Sequence, residues 1–287
     1  MCCSSKPAKF TGTKGYIGEA HTVAQGYVHV LGYQNDAVSL IEGGNAMILP
    51  FPAASPMTPE NVIDLGDHGK NLLNTLTSWY FPDVYATKGG GLRGMHLNSA
   101  RAHVFNSGVY TVVLASSPSQ VIPALSRVDE SKRPVISEEL MTFYQNTYPG
   151  WSIAVCCFNN RDKRTSEPMF WWYKPMDGNS LFFPAVDSHD GNPPKFFHEG
   201  NPWRVWVDHQ ILIGSDAYEE GGAAQTLRAD FYDSFIPDEK TRSFFPKRLL
   251  GREFRSLRSG TMANGDFRIP TSSVRGHREQ DMGRAFP

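Results

Sequence analysis

The chain has 287 residues, with 28 Lys or Arg against 29 Asp or Glu and a formal net charge of −1 at pH 7. That balance gives the molecule as a whole no bias towards nucleic acid or an anionic membrane, and no run of about 18 apolar residues is present to cross a bilayer. The length suffices for one large domain with a sizeable core, and 40% hydrophobic residues is an ordinary globular content.

Residues 1–25 are polar, with no clear period. YVHVLGY (27–33) alternates as a strand does, and Asn35–Asn45 carries turn residues. AMILPFP (46–52) reads as a buried strand closed by its prolines. KNLLNTLTSWY (70–80) places Leu72, Leu73, Leu76, Trp79 and Tyr80 on one helical face. The KGGGLRG run within Thr87–His103 lacks the strand and helix start that flank a phosphate loop, and it reads as a linker.

VYTVVLA (109–115) is a further strand, and SPSQVIPALSRV (117–128) a short helix broken at Pro123. SEELMTFYQNTY (137–148) is the clearest helix, with Ser137 as N-cap and two glutamates in its first turn. WSIAVCCF (151–158) is a strongly apolar strand with Cys156 and Cys157 facing opposite sides as small buried hydrophobes. MFWWYKP (169–175) and SLFFPAV (180–186) flank MDGN and suggest a hairpin with an Asp-Gly turn. WRVWVDHQILIG (203–214) is another long strand. Strands and helices do not alternate regularly. The expected class is therefore α+β, with mixed or antiparallel sheets, a few packed helices and a single domain over residues 1–237.

Residues 238–287 form an extended basic C-terminal tail. From Lys240 to Pro287 there are eleven Lys or Arg and four Asp or Glu, net +7, and the remainder of the chain is −8. Within 246–258, Leu250, Phe254 and Leu257 stand at helical spacing among Arg248, Arg252 and Arg255, which predicts a basic amphipathic helix. Such a helix packs on the domain's own acidic surface or docks on a neighbouring subunit or acidic partner. Nucleic acid is a partner for the tail and not for the main domain. No cofactor motif is present, and neither a serine nucleophile elbow nor a Walker or HExxH sequence occurs.

The stretch Ser180–Asp216 holds the densest chemistry. Asp187, His189 and Asp190 form one cluster, and Asp208 and His209 another. An Asp beside a His fixes its tautomer and raises its basicity, as a general base requires. His-Asp-Gly is equally good turn chemistry, and strand alternation sends Asp208 and His209 to opposite faces.

Cys2 is the candidate nucleophile. If Met1 is removed, its own α-amine can accept the thiol proton, the logic of N-terminal nucleophile hydrolases. Cys3 competes with it. The opening MCCSSKPAKF lacks the apolar core of a signal peptide, and the cysteine pairs Cys2–Cys3 and Cys156–Cys157 do not match a zinc spacing. Free thiols in a reducing cytoplasm are the expectation.

The segments Met1–Ser5, Asn45–Pro52, Tyr148–Phe158, Leu181–Gly191 and Val207–His209 together resemble an uncharacterised bacterial protein family. Its members open with Met-Cys and carry comparable internal pieces. The resemblance covers about residues 1–216 and leaves the glycine-rich loop and the tail outside. It implies Cys2, His189, Asp190, Gly191, Asp208 and His209 as family features and brings no activity with it. Two functions follow from the residues: a cysteine-dependent amide hydrolase or transferase, or a non-catalytic assembly protein that docks through its tail.

Overall fold

The computed structural model describes residues 3–82, 102–160, 167–217, 224–255, 261–272 and 284–285. The KGGGLRG run, Met1 and Cys2 lie outside the described residues. The first half runs β1 (Cys3–Ser4), β2 (Ala8–Thr22), β3 (Gly26–Ser39), β4 (Asn45–Phe51), α1 (Leu72–Tyr80), β5 (His103–Ser107), β6 (Tyr110–Ala115), α2 (Val121–Ala124), α3 (Glu138–Thr147) and β7 (Ser152–Phe158). The second half runs β8 (Met169–Tyr173), β9 (Ser180–Phe183), β10 (Phe197–His198), β11 (Asn201–Pro202), β12 (Arg204–Val205), β13 (Asp208–Gly214), β14 (Gln225–Thr226), α4 (Glu239–Arg242), β15 (Arg248–Arg255), β16 (Met262–Ala263), β17 (Asp266–Pro270) and β18 (Arg284–Ala285). The fold is α+β with mixed sheets.

A five-stranded sheet has the order β1-β4-β7-β6-β5, and a six-stranded sheet the order β14-β15-β13-β2-β3-β8. A third ladder, β18-β17-β9, continues the layer of the five-stranded sheet through a parallel bridge between Cys3 and Ser188. The layers face each other over one core. Ile17, Leu31 and Trp171 come from one side, and Leu49, Val112, Cys156 and Phe183 from the other.

Each layer is also covered outside. Ile48, Val113, Val155 and Cys157 pack against Val121, Leu140 and Tyr144 of α2 and α3. Tyr16, Phe170 and Leu212 pack against Leu72, Leu73 and Leu76 of α1 and against Tyr232 and Phe245. Covered on both faces, β4 and β7 are continuous apolar runs, as a two-sided strand must be. The expected placement of Cys156 and Cys157 on opposite sides holds. Pro50 sits inside β4 opposite Ile153, beyond the point where β1 stops pairing, so the missing N–H falls where an edge tolerates it. In α3 the Ser137 hydroxyl accepts the Leu140 amide, as its N-cap position predicts.

Three expectations are corrected. Residues 8–22, read as an aperiodic polar stretch, form one of the two longest strands. At two of its glycines, Gly15 and Gly18, aromatic side chains press on the backbone: a Cβ on Gly15 would strike Phe183, which lies stacked on Tyr33 at 5.4 Å. Segments β8 and β9 do not form a hairpin. The former pairs with β3 and the latter with β17, so the Asp-Gly turn carries the chain between layers.

The third correction concerns 246–258: its described residues form a strand and no helix, and Leu257 lies outside the described residues. Segment β15 lies inside the six-stranded sheet between β13 and β14, with Leu249 and Leu250 entering different cores. Leucines spaced for a helix here serve a strand buried on both faces. Beyond Pro237 the described residues hold α4 and several strands, of which β15 and β17 are built into the sheets. Among the described residues no helix is long and apolar enough to cross a membrane.

Candidate functional site at the Asp187–Gly191 loop

The loop after β9 is set by two residues from the far end of the chain. The Asp266 carboxylate is 1% exposed, and its Oδ1 accepts the amides of Ala185 at 2.8 Å and Val186 at 3.0 Å. Its Oδ2 accepts the Tyr148 hydroxyl at 2.7 Å. Burial pushes this carboxyl up, against the hydrogen bonds and the charge of Arg268 that favour its ionised form. Burial, followed by the charge of Asp266, pushes the Tyr148 phenol well above its usual range. One turn further, Asn264 accepts the Asp187 amide at 2.8 Å and donates to the Asp187 carbonyl at 2.9 Å.

The N-terminal strand lies along the same loop. The Ser4 amide donates to the Ser188 carbonyl and the Ala8 amide to the His189 carbonyl, each at 2.9 Å. Within the loop, His189 Nε2 stands 2.9 Å from Asp187 Oδ1, an ion-pair distance without hydrogen-bond alignment. The His189 side chain is 23% exposed and rests edge-on against Phe10. Asp187 and His189 are thus brought together with a water-accessible imidazole.

The rest of the loop is turn chemistry. Asp190 accepts from the Ser188 hydroxyl at 3.0 Å and from the Asn192 amide and side chain, each at 2.9 Å. Burial raises the Asp190 carboxyl, but these hydrogen bonds together outweigh it and hold it below the usual carboxylate range. Gly191 has φ 85°, and a Cβ there would lie 2.5 Å from the Ser5 carbonyl oxygen. Asp190, expected as a catalytic residue, is spent on holding the turn.

The second cluster is divided. Asp208 is exposed, and His209 is fully buried with its ring edge-on to Phe183 at 6.0 Å and near Phe267 at 5.9 Å. A base at His209 has no exposed surface through which to reach a substrate. Cys3 is also sealed, its thiol 3.6 Å from the Val186 carbonyl, and so it is no rival to Cys2 as a nucleophile. In the ladder Arg255 stands opposite Asp208, Arg252 opposite Ile211, and Arg248 is half-buried at the strand's start. These arginines occupy a sheet ladder and not a docking helix. Among the described residues no group of three His, Cys, Asp or Glu could hold a metal ion.

Asn264 and Asp266 were invisible in the sequence as site residues. The NGD turn before a short alternating run signals a strand start, but nothing local names a partner some 80 residues upstream.

No family model matches the sequence, and no curated protein matches it. Among solved structures the chain is similar to the crystal structure of baculovirus P35, with 12% identity and a TM-score of 0.41 over 93% of this chain and 90% of that one. It is also similar to a mutated baculovirus P35 after caspase cleavage, with 12% identity and a TM-score of 0.39 over 77% and 74% of the two chains. The caspase-8/P35 complex gives 12% identity and a TM-score of 0.35 over 78% of this chain and 68% of that one.

Proposed function

We propose that the chain is a cysteine-dependent amide hydrolase or transferase in which Cys2 is the nucleophile and the Asp187–His189 pair supports it. The observation that carries this reading is the hydrogen-bonded pairing of Cys3 and Ser4 with Ser188. Cys2 is joined by one peptide bond to that strand, so its Cα stays about 3.8 Å from that of Cys3. In the sequence of steps, the thiol gives its proton to its own α-amine or to His189. The sulfur attacks the amide carbonyl, and the C–N bond breaks as the nitrogen takes that proton. Water, or an acceptor amine, then releases the thioester and restores the thiol. Asp187, with Oδ1 2.9 Å from Nε2, acts on His189 through its charge, and Nδ1 is the nitrogen that exchanges the proton.

Further support comes from where the family-like segments fall. Segments β1, β4 and β7 are neighbours in one sheet, and the 187–191 loop is stitched to β1. Among the described residues Cys3, Cys156 and Cys157 form no disulfide with one another, which suits a cytoplasmic protein. The assembly reading, with 246–258 docking as a basic helix on a subunit, an acidic partner or nucleic acid, loses its helix to β15.

Mass spectrometry of the intact protein and the iodoacetamide rate at Cys2 test the proposal. Met1 should be removed, and Cys2 should react at least tenfold faster than a model thiol, with His189→Gln slowing it. Retained Met1, or a rate equal to that of the model thiol, overturns it.

A further inference from the structure

Segments β2 and β3 form a long hairpin that outruns its neighbours. On one side β13 pairs with β2 only as far as Gly18, and on the other β8 reaches β3 only at His29. Among the described residues no other strand pairs with positions 20–28 of the hairpin, and a two-stranded ribbon by itself is marginally stable in water. Ala20 and Val28 are buried here, and a set of polar side chains also ties this end down.

Glu19 stands opposite His29, and both are buried, at 5% and 1% exposure. Glu19 accepts from the Ser215 hydroxyl at 2.6 Å and from the Tyr27 hydroxyl at 2.9 Å. The Tyr27 oxygen also lies 3.1 Å from His29 Nε2 and 3.3 Å from the Gly178 carbonyl. Tyr27 has one proton. With that proton given to Glu19, His29 Nε2 must carry the hydrogen of their contact, and Nδ1 is left as a bare acceptor. Among the described residues His29 Nδ1 is buried without a hydrogen-bond partner.

The groups facing His29 are Glu19 from β2, Tyr27 on its own strand, Tyr173 from β8 with its ring 5.8 Å away, and the charge of Asp177 from the turn beyond. His21 packs on the far side of Tyr27 at 5.0 Å. Adding a proton to Nδ1 creates a buried cationic N–H with no acceptor, a costly state that water relieves once the ribbon lifts.

We infer that residues 19–29 are an acid-released clasp: protonation of His29 frees the hairpin end from Ser215 while the rest of the sandwich stays folded. Burial pulls the His29 imidazole down to about 4 against the opposing charges of Glu19 and Asp177. In the lifted ribbon it returns to about 6.5, so the opening constant rises about 30-fold between pH 8 and pH 5.

Hydrogen exchange by mass spectrometry, corrected for the intrinsic pH dependence of amide exchange, reads this opening. Peptides spanning 19–29 should lose protection about 30-fold at pH 5, while peptides from β4 and β7 do not. His29→Gln, which keeps a neutral donor for Tyr27, should flatten the response. Unchanged protection in the wild type, an equal loss in the variant, or a uniform loss across all peptides overturns the inference. An NMR titration of the wild-type imidazole needs no variant: His29 must titrate well below 6.5, and a midpoint at or above 6.5 overturns the inference equally.

Discussion

Asn264 grips Asp187 by both ends of its backbone, accepting the amide and donating to the carbonyl, with a third bond from the same side chain to the Lys195 carbonyl. A fully buried side chain is thereby acting as a missing strand for a residue 77 positions earlier. Asn264→Ala leaves one amide and two carbonyls to be satisfied afresh. We expect it to cost about 3 kcal/mol in urea denaturation. A loss under about 1 kcal/mol would mean that the loop is held by other means.

Asp266 gives the loop a pH dependence of definite sign. Its folded pKa lies above the unfolded value of 3.8, so the folded state holds the proton more tightly. The associated stability is fully present below that value and is lost as pH rises through the folded pKa. Asp266→Asn does not titrate. The stability of the variant relative to wild type should therefore improve as pH rises above about 3.8. A shift in the opposite direction contradicts the buried carboxyl.

Gly251 separates strand from helix at 246–258. In a helix, Gly251→Ala would stabilise by about 1 kcal/mol. In β15 a Cβ at this position strikes the ring of Tyr80, so the same change should destabilise by about 1–3 kcal/mol. The sign of the change in thermal midpoint decides.

Thiol reactivity should be confined to one position. Cys3, Cys156 and Cys157 are all at 0% exposure, and burial pushes the Cys157 thiol up to about 12. A colorimetric thiol reagent on the native protein at pH 8 should count one fast equivalent out of four, abolished by Cys2→Ser. A second fast thiol would show that the core around β7 opens readily.

The sequence was most informative where local chemistry decides structure. Ser137 capped its helix, the apolar runs at 46–52 and 151–158 became strands, and alternation separated Asp208 from His209. The turn reading of HDG was equally local and equally visible. It misled where a residue's meaning depends on a distant neighbour. Gly15 looks like loop composition until Phe183 is laid against it. Leu250, Phe254 and Leu257 satisfy a helical period, and only the second covered face of β15 makes Leu249 and Gly251 intelligible. Pairing choices such as β9 with β17 have no local signature at all.

The parallel ladder between β2 and β13, with Thr13–Gly18 against His209–Gly214, has a consequence for biosynthesis. The first long hairpin leaves the ribosome with its β2 edge bare, and its true neighbour is still about 170 residues from being made. At 5–20 residues per second, the wait is roughly 9–35 s. Until then a 15-residue strand offers unpaired backbone to any passing chain. The protein's hazard in the cell is thus greatest before it is finished, and early truncations should fail as aggregates sooner than as inactive folds.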